Sequence, residues 1–135
     1  MDNVFKNTDE SSILLFDRTK GIQMLWTTWH LQGEINNGGF CQYFDDNENL
    51  YMPEILMGYY EITKNSLELL DCFEIKRAFE EALVLYTSKQ SVNNLVGSVD
   101  DAWNRLANEY YNYESEFLRK REDYISNNLK EFIME

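Results

Sequence analysis

The chain has 135 residues, with 24 acidic against 12 basic side chains and a net charge of −12. That length suits one domain, 1–135, with a single core, and 44% hydrophobic with 15% aromatic residues excludes a chain disordered by composition. The acid excess argues against direct nucleic-acid binding, which needs a basic footprint, and against docking on an anionic membrane.

The first ten residues, Met1 to Glu10, are polar and of mixed charge. They show no apolar core of a signal peptide, and no stretch approaches the roughly 20 apolar residues of a spanning helix. Two cysteines, Cys41 and Cys72, stand in no metal spacing, so reduced thiols in a cytoplasm are expected.

The pattern is helical nearly throughout and predicts an all-α domain of about five to six helices. Residues 17–36 read as a first long helix. Ile22, Leu25, Trp26, Trp29 and Gly33 share one face, and Met24, Leu31 and Ile35 fall nearly opposite. A helix apolar on two sides is either central or shared with another subunit. It is expected to stop at Asn36-Asn37-Gly38-Gly39, residues that tolerate the left-handed conformation. Phe40 to Phe44 read as a short helix, and Asp45 to Asn49 as an exposed polar turn. Pro53 opens the next helix, 53–70, where its missing N–H costs little. Ile55, Tyr59, Ile62, Leu69 and Leu70 share its inner face. Residues 74–87 form another helix, with Ala78, Phe79, Ala82, Leu83 and Tyr86 facing inward. Residues 88–99 read as a loop. Ser98 or Asp100 would cap the last helix, whose stripe includes Trp103, Leu106, Ala107, Tyr110, Tyr113, Phe117, Leu118, Tyr124 and Ile125.

Signals for catalysis or metal binding are weak. His30 and Glu34 lie four apart on one side of the first helix, but zinc needs three or four ligands and this is the one histidine. Asp45-x-Asn47-x-Asn49 copies the first half of an EF-hand loop. It then fails, with Leu50 where glycine is needed and Leu56 where a bidentate glutamate is needed. Cys41 has no neighbouring base in sequence, so an inert thiol is expected. No metal, cofactor or catalytic residue is therefore assigned.

The acids show one regularity. Glu54, Glu61 and Glu68 repeat every seven residues opposite the apolar face, drifting about 20° per step. Glu109, Glu116 and Asp123 repeat the spacing on the last helix, with Arg105, Arg119 and Lys120 alongside. The first row is thus expected to be the less neutralised and the freer to meet a partner.

The run Glu34-Ile35-Asn36-Asn37-Gly38-Gly39-Phe40-Cys41-Gln42-Tyr43-Phe44 comes after a tryptophan-bearing helix. It resembles the hallmark of the bacterial DNA-mimic protein (DMP) domain family. Val99-Asp100-Asp101 and the closing Tyr124-Ile125-Ser126-Asn127-Asn128 with Phe132 fit the same layout, so the resemblance runs from about Leu25 to Phe132. It implies an all-helical, dimeric protein with no known enzymatic activity. It also implies binding to a transcriptional regulator in place of DNA, through surface acids. The motif itself reads as structural. Asn37 or Gly38 ends one helix, Gly39 permits a tight turn, and Phe40, Tyr43 and Phe44 anchor the next helix.

Two main readings of function result. In the first, an acidic face occupies the basic surface of a DNA-binding regulator or another cationic protein, with Glu54, Glu61 and Glu68 as partner-binding residues. A domain about 35 Å across faces a length of duplex carrying roughly 20 charges. A net −12 matches this only if the acids cluster on one face or two copies join. In the second, His30, Glu34, Asn36 and Gln42 line a polar pocket for a small molecule. A third reading makes the chain a subunit that docks through Met24, Leu31 and Ile35.

Overall fold

The computed structural model describes residues 15–88 and 98–133. Among them the protein is all-α, with four helices: α1 (Lys20–Leu50), α2 (Pro53–Leu69), α3 (Phe73–Thr87) and α4 (Ser98–Asn127). Short 3₁₀ turns, Leu15–Asp17 and Leu129–Phe132, flank this bundle. No helix among the described residues is long and apolar enough to cross a membrane.

The helix count is lower than expected because the chain does not stop at Asn36–Gly39. It bends there. Within α1, Gly39 alone has non-helical angles, φ 83° and ψ −177°, a region open essentially to glycine. Helical arms continue on either side. The distal arm runs to Leu50, so the expected short helix Phe40–Phe44 is part of α1 and the expected polar turn Asp45–Asn49 is helical. Packing overrides the turn-like composition of that segment. Phe40, Tyr43, Phe44 and Asn47 recur at helical spacing and are all buried. Thr19 caps α1, its hydroxyl accepting from the Ile22 N–H at 3.2 Å, so the helix starts three residues later than residue 17 suggests.

The distal arm of α1 meets α2 and α3 in an aromatic core. Phe44 lies against Tyr43, Tyr60, Phe79 and Tyr86, with ring centroids 5.1–5.7 Å apart. Such tilted and edge contacts add to the burial of large apolar area. The core of α2 is centred on Leu56, Tyr59, Tyr60, Thr63, Ser66 and Leu67, about one position on from the expected face; Ile55, Ile62 and Leu69 are half-buried. In α3, Ala78, Phe79, Ala82 and Tyr86 are buried. In α4, Leu106, Tyr110 and Phe117 carry the stripe into the core, and this helix packs across α1 and α3.

The two stripes of α1 resolve in one direction. Met24, Leu31 and Ile35 are buried at 0–1% exposure, so they belong to this chain's own core and cannot serve as a docking face between subunits. Leu25 and Trp29 are exposed. Between α2 and α3, Asp71 takes a positive φ of 58°, while Cys72 N–H bonds to Leu67 O and Asp71 N–H to Glu68 O. This pairing closes the helix end with a left-handed residue, and Lys120 Nζ on α4 donates to the Asp71 carbonyl at 2.7 Å. The expected loop 88–99 lies largely outside the described residues. Helix α4 already runs from Ser98, and Asp100 sits in its first turn rather than capping it.

Candidate interaction site

The bend in α1 explains its motif. In a straight helix, residues eight apart are separated by about 12 Å of rise. Across Gly39, Gln42 Nε2 nevertheless donates to Glu34 Oε1 at 3.1 Å. Gly38 makes this reach feasible, because a Cβ there would collide with Gln42 Oε1. The bend is gripped from α4. Tyr111 Oη donates to the Ile35 carbonyl at 3.0 Å, the oxygen that a regular helix would pair with the Gly39 N–H. Asn36 Nδ2 donates to Glu114 Oε2 at 3.1 Å, and Tyr110 Oη donates to that same oxygen at 2.9 Å. Asn37 is exposed.

Of the four residues expected to form a polar pocket, three converge. His30, Glu34 and Gln42 lie together, whereas Asn36 points to α4. Tyr59 and Asp46 complete the group. The Tyr59 hydroxyl lies 2.6 Å from His30 Nδ1. Burial holds that phenol well above its ordinary pKa, so Tyr59 keeps its proton and the two groups share one hydrogen bond. The other ring nitrogen, Nε2, faces Glu34 Oε2 at 3.7 Å. Burial lowers the His30 pKa against the opposing pull of Asp46, so at pH 7 the contact joins a neutral imidazole to the carboxyl group and is no ion pair. Glu34 is raised above the usual carboxylate range, first by burial and then by its contact with Asp46, while the Gln42 amide works the other way. Two carboxyl groups thus share one corner, with no lysine or arginine bridging either among the described residues.

Beside them runs a groove of ≈ 340 Å³ lined by Trp26, Trp29, His30, Gly33, Glu34 and Tyr51. Its outer wall is Trp29, 64% exposed. Periodicity places Trp26, Trp29 and Gly33 on one helix face but gives no sign of a groove there. Asp46, Tyr51 and Tyr59 come from later segments, and periodicity along α1 carries no signal for them.

The acidic rows fall out differently from their spacing. Glu61 bridges Lys64 at 3.4 Å, and Glu68 bridges Lys76 at 3.2 Å; Glu54 has no ion pair among the described residues. On α4, Arg105 meets Glu109 at 4.0 Å, and Arg119 meets Glu116 at 3.9 Å and Asp123 at 3.4 Å. Both rows are therefore partly neutralised. Several further acids have no lysine or arginine bridge among the described residues. No lysine or arginine occurs between Lys20 and Lys64, a stretch that holds Glu34, Asp45, Asp46, Glu48, Glu54 and Glu61. Asp45 and Glu48 both accept from the Tyr86 hydroxyl, at 2.7 and 3.0 Å, which fixes their carboxylates at the corner where α1 leads into α2. Cys41 Sγ approaches Asp45 Oδ2 at 4.0 Å. Among the described residues, no group of three or more His, Cys, Asp or Glu is placed to hold a metal ion.

No curated protein and no solved structure matches the chain. The family model described as DMP19-like protein matches residues 17–128, in agreement with the DNA-mimic resemblance drawn from the Asn-Asn-Gly-Gly-Phe motif and its surroundings. That match covers most of the sequence and includes the bend, the groove and the acidic corner: the chain belongs to the DMP19-like protein family.

Proposed function

We propose that this protein is a non-enzymatic, acidic interaction protein of the cytoplasm. It occupies the basic DNA-binding surface of a regulator or other nucleic-acid-binding protein in place of DNA. The observation that carries this reading is the acidic corner of α1 and α2, where Asp45, Asp46, Glu48 and Glu54 fall in a stretch with no lysine or arginine between Lys20 and Lys64. Duplex DNA presents closely spaced charges that a cationic protein neutralises with its own side chains, and a surface rich in carboxylates offers the same complement. Glu61 and Glu68 contribute at the edge of this surface, each sharing its charge with a lysine. A homodimer would join two such corners and bring the charge nearer to that of a duplex.

Affinity capture from the native cell at low and high salt tests the proposal. The expected partner is cationic and is lost as salt rises, because screening weakens an electrostatic complex. Replacing Asp45→Asn, Glu48→Gln, Glu54→Gln and Glu61→Gln together abolishes capture. Replacing Glu81→Gln, Glu109→Gln and Glu116→Gln on the ion-paired side leaves it intact. Capture that ignores both salt and the first set of replacements overturns the reading.

A further inference from the structure

We propose that the groove beside the bend in α1 is a receptor for a single arginine side chain of the cationic partner. This inference rests on the acidic-interaction reading and names the anchor within it. Its walls are aromatic: Trp26 and Trp29 from the proximal arm of α1, and Tyr51 from the start of the α1–α2 turn. Indole and phenol faces attract cations through their quadrupoles, and tryptophan does so best. The inner end carries the carboxyl group of Glu34, backed by Asp46. No lysine or arginine of the described residues bridges either of them, and the neighbouring imidazole is uncharged at pH 7. A guest cation would relieve two adjacent acids while lying against aromatic rings.

Arginine fits better than lysine. Its planar guanidinium stacks on aromatic faces and forks onto a carboxylate, whereas an ammonium is a compact and strongly hydrated point charge. Access comes from Gly33. It is exposed in the groove lining, and a Cβ built there would meet no atom within 4 Å, so any side chain at this position would intrude on the space the guest needs. Charge complementarity decides the occupant. An apolar peptide segment would bury Glu34 and Asp46 without compensating them, at a desolvation cost that a guanidinium avoids. Tryptophan, tyrosine and arginine are also the residue types that concentrate interface energy.

The test uses the full chain, with the tryptophan indole N–H resonances as reporters. Nα-acetyl-arginine amide, the corresponding lysine amide and the neutral, nearly isosteric citrulline amide are titrated separately. The arginine probe is expected to give saturable shifts at Trp26 and Trp29. Lysine should bind about threefold more weakly or worse, and citrulline should not bind. Trp29→Ala should weaken the arginine probe about fivefold or more. Gly33→Leu should abolish binding while circular dichroism shows the fold retained, since this exposed helical site has room for a side chain. Equal binding of citrulline or lysine, absence of any saturable shift, or indifference to Gly33→Leu overturns the proposal. Capture with the Gly33→Leu protein separates the two readings. If partner capture stays salt-sensitive and undiminished, the arginine receptor falls and the acidic-interaction reading stands. If the arginine probe binds as expected but capture ignores salt and the acidic corner, the broader reading falls and the receptor stands.

Discussion

Two sides of this molecule handle negative charge in opposite ways. Along α3 and α4 the acids are laced to bases: Lys76 holds both Glu68 and Glu80 at 3.2 Å, Arg105 reaches Glu81 at 2.6 Å, and Lys120 meets Glu116 at 3.6 Å. At the corner of α1 and α2, Asp45 and Glu48 have a tyrosine hydroxyl for company, and Glu34 has a second carboxyl group. Exposed ion pairs contribute little to stability, so the lacing divides the charge of α3 and α4, where ten acids face six bases, into locally compensated pairs. Unbalanced acids cost stability through mutual repulsion. Keeping them in one place, on a helix bent by a glycine-only conformation, makes sense when the cost is offset by a partner. The difference teaches that net charge alone is a poor guide to where such a protein binds.

The bend is the strongest point at which to break this arrangement. Gly39→Ala is expected to destabilise the fold by about 2–3 kcal/mol, the cost of forcing a side chain into a region reserved for glycine, read from urea unfolding. Loss of the Glu34–Gln42 contact should accompany it, visible as a change in the titration of Glu34. Gly33, on the proximal arm of the same helix, should respond with the opposite sign. Gly33→Ala adds a methyl group into open space and restricts the unfolded chain, so a gain of about 0.5–1 kcal/mol is expected. Equal losses at both positions would mean that the bend has no special geometric role.

Helix existence and most inward positions can be read from periodicity. Ala78, Phe79, Ala82 and Tyr86, or Leu106, Tyr110 and Phe117, each fit a 3.6-residue repeat. Periodicity does not say which of two apolar faces turns inward. On α1 the smaller stripe, Met24, Leu31 and Ile35, fills the core, while of the tryptophan-bearing stripe Ile22 and Trp26 pack against its edge and Leu25 and Trp29 are left at the surface. Asp45–Asn49 has turn-like composition, yet Tyr43, Phe44 and Asn47 hold it helical from the buried side. For the site, the pairing of Glu34 with His30 was legible at i,i+4 spacing. The contacts with Gln42 and Asp46 needed the bend, and that with Tyr59 needed α2. Neutralisation of Glu68 depends on Lys76 from the next helix, which no reading of α2 alone can supply.

Removing one carboxylate from each side sharpens the contrast. Asp46→Asn should stabilise the protein at pH 7 by about 0.5 kcal/mol, by relieving repulsion next to Glu34. It should also bring the Glu34 pKa down toward its ordinary value in an NMR titration. Glu116→Gln removes the partner of Arg119 and Lys120 and should cost about 0.3–0.5 kcal/mol. Urea midpoints that move in the same direction for both variants would show that the corner carries no electrostatic strain.

The smallest effect is the pH response, and its sign discriminates between the two groups involved. Burial lowers the His30 pKa in the folded state below 6.5. Between the folded value and 6.5 the unfolded chain binds more protons, so stability rises with pH through that window and is lost as pH falls through it. Glu34 runs the other way. Its folded pKa lies above 4.5, so just above 4.5 the native state binds more protons, and this contribution declines as pH rises. The two slopes have opposite sign, the Glu34 one opening just above pH 4.5 and the His30 one closing near pH 6.5. His30→Gln, which cannot titrate, should leave the Glu34 slope exposed, so that urea midpoints fall as pH rises just above 4.5. In Glu34→Gln the His30 slope is exposed and the midpoints rise as pH climbs toward 6.5. Curves of identical slope in both variants would mean that neither group titrates differently in the folded protein, and the corner's charge would then be as indifferent to folding as that of the laced side.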